Sequence, residues 1–249
     1  SRTVEDCALT LQAIAGHDPQ DNYTWDVPVP DYRAALDGNL AGKRIGVVRE
    51  LLYTDVVDPE VRNAVSQAAN SLAELGAHVE EISIPLTSHA NTISSILRVE
   101  APTNYRELIR DRLQEINHDN RIAYLTWSLT PALAYFKALK LRALLRQQIL
   151  QALTGFDVLL MPTMGVAAPK IEPDPVIDSK AKTNRNRAGM TTSFSLASSP
   201  AISINCGFTS NGLPIGLQIG GKPFDEQTVL NVAYAYEQAT EWHKRRPPI

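Results

Sequence analysis

Ser179-Lys180-Ala181-Lys182 satisfies the S-x-x-K spacing at which a lysine amine can act as base toward a serine hydroxyl. That chemistry needs the lysine beneath the serine on a helix, stripped of its proton by burial. Here the tetrapeptide follows a Pro- and Asp-rich stretch with no helix signature, so Lys182 is expected to stay solvated and protonated. Cys206, in Ile204-Asn205-Cys206-Gly207-Phe208, is a second nucleophile by type. A small thiol at the end of an apolar run reads instead as core, and nothing beside it would depress its pKa. The histidines at 17, 78, 89, 118 and 243 show no His-Glu-x-x-His spacing and no neighbouring Cys pair, so no metal site is expected. His243, beside Trp242 and the cations Lys244, Arg245 and Arg246, reads as a surface histidine. A G-x-S-x-G elbow is absent. Gly42 and Gly46 are the only glycines near the first apolar run, and the turn after it has none to let a phosphate approach, which argues against a dinucleotide cofactor. No cofactor is expected.

The elements that must hold such groups follow from periodicity. Thr3 can cap a helix whose apolar face is Val4, Ala8, Leu11 and Ala15, with Gly16 as its stop. A Pro- and Asp-rich connection follows, and Tyr23, Trp25 and Tyr32 are expected to anchor it. The run Lys-Arg-Ile-Gly-Val-Val from Lys43 suits a buried strand, and Asp58-Pro59-Glu60 announces a helix with the stripe Val61, Val65, Ala68, Leu72 and Leu75. After Gly76 a second strand makes residues 43–85 a strand-helix-strand unit, parallel and right-handed.

Residues 86–154 have helical character. The clearest helix starts at Thr130-Pro131 and carries Ala134, Ala138, Leu141, Leu145, Ile149 and Ala152 on one face, leaving Lys137, Lys140 and Arg146 as a solvated surface. The segment Phe-Asp-Val-Leu-Leu-Met-Pro-Thr, residues 156–163, is a buried strand ended by Pro162. Residues 173–200 read as a long loop, with Lys180, Lys182, Arg185 and Arg187 close together. Two apolar runs flank Asn211-Gly212 as a hairpin, and a last helix from Asp225 buries Val229, Val232, Ala233 and Tyr236. The fold class is α/β, a mixed β-sheet flanked by helices.

Size and charge narrow the partners. The 249 residues, 44% of them hydrophobic, are enough for a full core. A formal net charge of -3 leaves no basic footprint for nucleic acid. With no run of about 18 apolar residues and no basic-then-apolar leader, neither membrane spanning nor secretion is encoded, and the expected location is cytoplasmic. Cys7 and Cys206, far apart and in apolar contexts, are expected to be reduced thiols.

Four segments resemble the amidase signature family: RTVEDCALTLQAIAG at residues 2–16, LAGKRIGVVRE at 40–50, FDVLLMPT at 156–163 and GLPIGLQIGGKPFDEQTVLNVAYAYEQAT at 212–240. The resemblance implies a large mixed sheet wrapped by helices. It also implies cleavage of, or transfer from, a carboxamide through a serine nucleophile, a bridging serine and a lysine. In family order all three lie upstream of Ser1, so no catalytic residue is assigned here, and residues 1–249 are taken as the C-terminal portion of one incomplete domain. Pro162 and Thr163 match a turn that walls the family's substrate pocket and are nominated as substrate-binding. Where relatives have an Asn and then Gly-Leu-Pro before the first hairpin strand, this chain reads Ser195 and then Ser198-Ser199-Pro200.

Without an activated nucleophile and an oxyanion hole the chain is expected to be inactive alone. It is also expected to expose an apolar edge or face that takes an N-terminal amidase half or a second copy. Two readings stay open. The chain is part of an amidohydrolase acting on a small amide, or it is an inactive remnant that serves as a binding or interaction module.

Overall fold

The computed structural model describes residues 1–170 and 190–246. The Ser179–Lys182 pattern and the cations at 180, 182, 185 and 187 lie outside the described residues.

The described residues form a five-stranded sheet: β1 (Arg44–Val48), β2 (His78–Ile82), β3 (Val158–Pro162), β4 (Ala201–Phe208) and β5 (Pro214–Gly221), in the order β2-β1-β3-β5-β4. β1 pairs in parallel with both β2 and β3, while β5 runs antiparallel to β3 and β4. The sheet is therefore mixed, its seam falling at β3. β3 is buried along its whole length, which is why it reads as a continuous apolar run rather than an alternating one.

Helices cover both faces. On one, α1 (Val4–Ile14), α3 (Pro59–Glu74) and α10 (Glu226–Ala239) pack over Ile45, Val47, Val158, Leu160, Leu217 and Ile219. On the other, the short α2 (Arg49–Leu52), then α4 (Ala90–Leu97), α8 (Ala132–Gly155) and α9 (Thr192–Ala197) contribute to a second core that includes Val48, Leu159 and Met161. Alternate β3 residues thus serve different cores. Between α4 and α8 run α5 (Glu100–Asn104), α6 (Arg106–Asp111) and α7 (His118–Trp127), none of them carrying a buried residue except Pro102.

Local signals set the boundaries. Thr3 accepts the Asp6 N–H at the start of α1, and Asp58 accepts that of Glu60 at the start of α3, with Pro59 in the first turn. α3 ends at Gly76, whose φ of +100° suits a residue without Cβ. The β4–β5 hairpin turns through residues 209–213, with Gly212 at φ +78° and the Thr209 N–H donating to Leu213 O at 2.8 Å. Gly220 is needed for packing rather than for a turn, since a Cβ there would meet the Phe194 ring at 2.2 Å.

Several expectations are corrected. Residues 173–200 are not loop throughout, because Thr192–Ala197 forms α9, with Phe194, Leu196 and Ala197 buried. Arg142 Nε donates to Leu196 O at 3.1 Å, and Arg146 donates to Ala197 O, so Arg146 satisfies the open carbonyls at the end of α9 instead of facing water. Leu141 points outward and Leu153 replaces Ala152 in the buried set of α8. That helix is apolar on two sides, with Leu133, Phe136 and Leu144 exposed opposite Ala138, Leu145 and Ile149, so periodicity fixed its existence but not its phase. Leu75 is exposed past the last turn of α3. In the connection after α1, only Tyr32 is an anchor. Tyr23 and Trp25 lie 91% and 69% exposed because Asp18 and Asp21 fold that stretch on itself through local hydrogen bonds.

Candidate functional site

The carboxyl ends of the parallel strands β1 and β3 lie on one side of the sheet, the position where open α/β sheets place their ligand crevices. After β1 the chain turns into α2. Beyond it, between α2, the turn at Pro85–His89 and α4, lies a cavity of about 320 Å³ whose lining includes Glu50, Thr54, Thr87, Asn91 and Met190.

Glu50 holds this cavity together. Its Oε2 accepts the Ile84 N–H at 2.9 Å and its Oε1 accepts the Ser83 hydroxyl. Burial alone would raise its pKa, but those two hydrogen bonds outweigh it, and the carboxyl is held below its ordinary value. Asn91 Oδ1 accepts the Thr192 hydroxyl at 3.0 Å, tying α4 to α9. Thr87 spends its hydroxyl on Ile84 O at 2.7 Å, and Ser88 and Ser95 likewise bond backbone carbonyls. One ionised carboxylate among hydroxyls and an amide suits a small polar ligand rich in hydrogen-bond donors. It supplies no base of neutral pKa and no activated nucleophile.

Pro162 and Thr163 end β3 beside this region without lining the cavity. Pro162 pairs with Leu217 of β5, while the β1 ladder stops at Leu160, so its missing N–H leaves no carbonyl of β1 unpaired. Thr163 returns to the ladder, its N–H donating to Gly216 O at 2.8 Å. Its Oγ1 lies 2.6 Å from Ser203 Oγ on β4, over Gly216, where a Cβ would meet Thr163 Oγ1 at 2.8 Å. Two residues on, the Asp58 N–H donates to Gly165 O at 2.8 Å, pinning the turn to the start of α3. The turn is therefore built and fixed, with a hydroxyl pair at its base.

The other chemistry-bearing residues are placed elsewhere. Cys206 is buried on β4 and its thiol is pushed up to about 12 by burial, so it is core, as its context implied. His243 is half-buried rather than a plain surface group, its Nδ1 enclosed without a hydrogen-bond partner. Cys7 and Cys206 are both free thiols. Among the described residues no helix is long and apolar enough to cross a membrane.

Glu50, Asn91 and the Thr163–Ser203 pair were not singled out from the sequence. The available signal was the density of small polar residues in TSHANTISS, residues 87–95, inside a region that otherwise reads as helix.

Comparison with known proteins gives this arrangement its family. The sequence model of the amidase family matches residues 1–230. The glutamyl-tRNA(Gln) amidotransferase amidase-type subunit of Moorella thermoacetica is 38% identical over 273 residues, an alignment covering 100% of this chain and 55% of that protein. The crystal structure of the corresponding glutamyl-tRNA(Gln) amidotransferase polypeptide from Thermotoga maritima is 28% identical and superposes with a TM-score of 0.75, covering 97% of this chain and 52% of the other. A bacterial aryl acylamidase of the amidase signature family, 22% identical, shares the fold with a TM-score of 0.78 over 98% of this chain and 53% of its own. The chain thus spans about half the length of the relatives it matches. With the family match running from the first helix into the last and the mixed sheet superposing on those enzymes, the chain belongs to the amidase signature family.

Proposed function

We propose that this chain is the C-terminal part of an amidohydrolase that cleaves a carboxamide C–N bond, the serine nucleophile and its lysine being supplied by the upstream part. The observation that carries the reading is the family match over residues 1–230 combined with coverage of only about half of each relative. Two features support it. Among the described residues no serine hydroxyl is hydrogen-bonded to a lysine or histidine, and the buried Ser193 hydroxyl has no partner at all. The turn at Pro162 and Thr163 is rigid and presents a hydroxyl pair, as a pocket wall requires, and we assign to it the contact with the amide. The chain by itself is then inactive.

The second reading, an inactive remnant that binds a small molecule or a protein, is favoured by the Glu50 cavity, which is formed without any upstream part. A fluorophosphonate probe followed by intact-mass measurement separates the two. The amidase reading expects no adduct on this chain alone, and one adduct per complex on an upstream serine once that part is supplied. An adduct on any serine of this chain would overturn the placement of the nucleophile, and no labelling of the assembled protein would leave the remnant.

A further inference from the structure

β4 ends the sheet, and among the described residues its one sheet neighbour is β5. The ladder between them shows which of its backbone groups are open. The Gly221 N–H donates to Pro200 O at 3.0 Å, which makes residues 200 and 221 a hydrogen-bonded pair. Such pairs alternate along an antiparallel ladder. With Ala201 opposite Gly220, Ile202 opposite Ile219 and Ser203 opposite Gln218, the N–H and C=O groups of Ala201 and Ser203 turn away from β5 to the free edge.

Next to that edge lies an apolar groove of about 300 Å³, its walls including Leu11 and Ile14 of α1, Ala201 and Ile202 of β4, and Val229 of α10. Ile14 is 75% exposed and Ala201 is exposed too, so open backbone groups and uncovered apolar surface occur together. This combination is what an added strand uses, the backbone giving affinity and alternate side chains filling the groove.

We propose that this seam, the β4 edge with the α1 groove, is where the upstream amidase half docks, by adding a strand to β4. The inference rests on the amidase reading above. Two facts select this occupant over a second copy of the chain. The relatives carry nearly as much polypeptide again as this chain supplies. Ser1 also lines the groove, so polypeptide entering Ser1 from upstream arrives at the seam itself. The docking has a chemical result. An added strand lies about 4.8 Å from β4, and its residue opposite Ser203 borders the hydroxyl pair that Ser203 makes with Thr163. Assembly therefore brings the upstream half against the proposed pocket wall.

The test is binding of this chain to the polypeptide encoded upstream of Ser1, supplied as a separate chain and followed by calorimetry and sedimentation. Ala201→Pro removes one edge-facing N–H and leaves the bonds to β5 alone. Ile14→Lys charges the groove at an exposed position. Each variant should weaken association about tenfold or more, by loss of a backbone hydrogen bond or of apolar burial, while the melting temperature of the chain alone stays within a few degrees of wild type. Unchanged affinity in both variants, or no association by the wild-type chain, would overturn the seam. So would a dimer of this chain alone that Ala201→Pro dissolves, since a second copy would then hold it. If wild-type halves assemble, both variants fail to, and the assembled protein takes no fluorophosphonate label, the seam stands and the amidase reading falls.

Discussion

Burial pushes the Cys206 thiol up to about 12, so at pH 8 the thiolate amounts to about one molecule in ten thousand. Native titration with a disulfide reagent should therefore leave Cys206 untouched and count it only after denaturation; rapid modification in the folded chain would refute its core role. Glu237 is a different case. It is 7% exposed and accepts the Val4 N–H at 3.0 Å, fastening α1 to α10. Burial raises its pKa, against the pull of that hydrogen bond and of His243, while Asp6 adds to the rise. The folded state thus holds the proton more tightly than the unfolded one. Its contribution to stability is full below about pH 4.5, the ordinary glutamate value, and is lost as pH rises through the elevated folded value. Glu237→Gln keeps an acceptor and cannot ionise, so its melting temperature should gain on wild type as pH is raised from 4 to 7. Glu237→Ala leaves the Val4 N–H buried without a partner and should cost about 1–3 kcal/mol at either pH. A wild-type and Gln pair with parallel pH profiles would remove the titration from the account. The two residues differ in how far the sequence shows them: Cys206 reads as core from its apolar neighbours, but the contact between Glu237 and Val4 spans almost the whole chain, and no local pattern encodes it.

At the scale of elements, the parts with local causes were legible and those with tertiary causes were not. The caps at Thr3 and Asp58, the stop at Gly76, the hairpin around Gly212 and the strand-helix-strand unit all follow from side chains acting within a few residues of themselves. α9 follows from distant groups, since it is six residues long, too short to persist by propensity, and rests on Arg142 and Arg146 at its last turn and on Phe194 packed against Gly220. Gly220→Ala should accordingly displace Phe194 and cost about 1–3 kcal/mol, with hydrogen exchange rising first in α9. Equal protection of α9 in that variant would show the helix to be independent of the sheet. α8 offers the matching contrast on one helix. Leu145→Ala, at a fully buried site, should cost about 2–5 kcal/mol, whereas Leu133→Ala, 66% exposed, should stay within about 0.5 kcal/mol in denaturant unfolding. A large loss at Leu133 would mean that the outer face of α8 is covered in solution.

For the molecule as a whole, fold class and family were readable because the apolar runs and the four family-like segments extend from end to end. The cavity at Glu50 was not, because its walls come from three elements whose meeting point only the sheet order reveals. That order also bears on how the chain is made. β1 takes β2 as one neighbour after a single helix, yet its other neighbour, β3, begins only at Val158, about 75 residues after β2 ends, or roughly 4–15 s of synthesis at ~5–20 residues per second. Throughout that interval the nascent polypeptide holds Ile45, Gly46 and Val47 as an unpaired apolar border, later sealed by Val158, Leu159 and Leu160. The ribosome-bound intermediate is therefore a client for a holding chaperone, and any codon-level pause placed between α4 and α8 lengthens its exposure to neighbouring nascent chains.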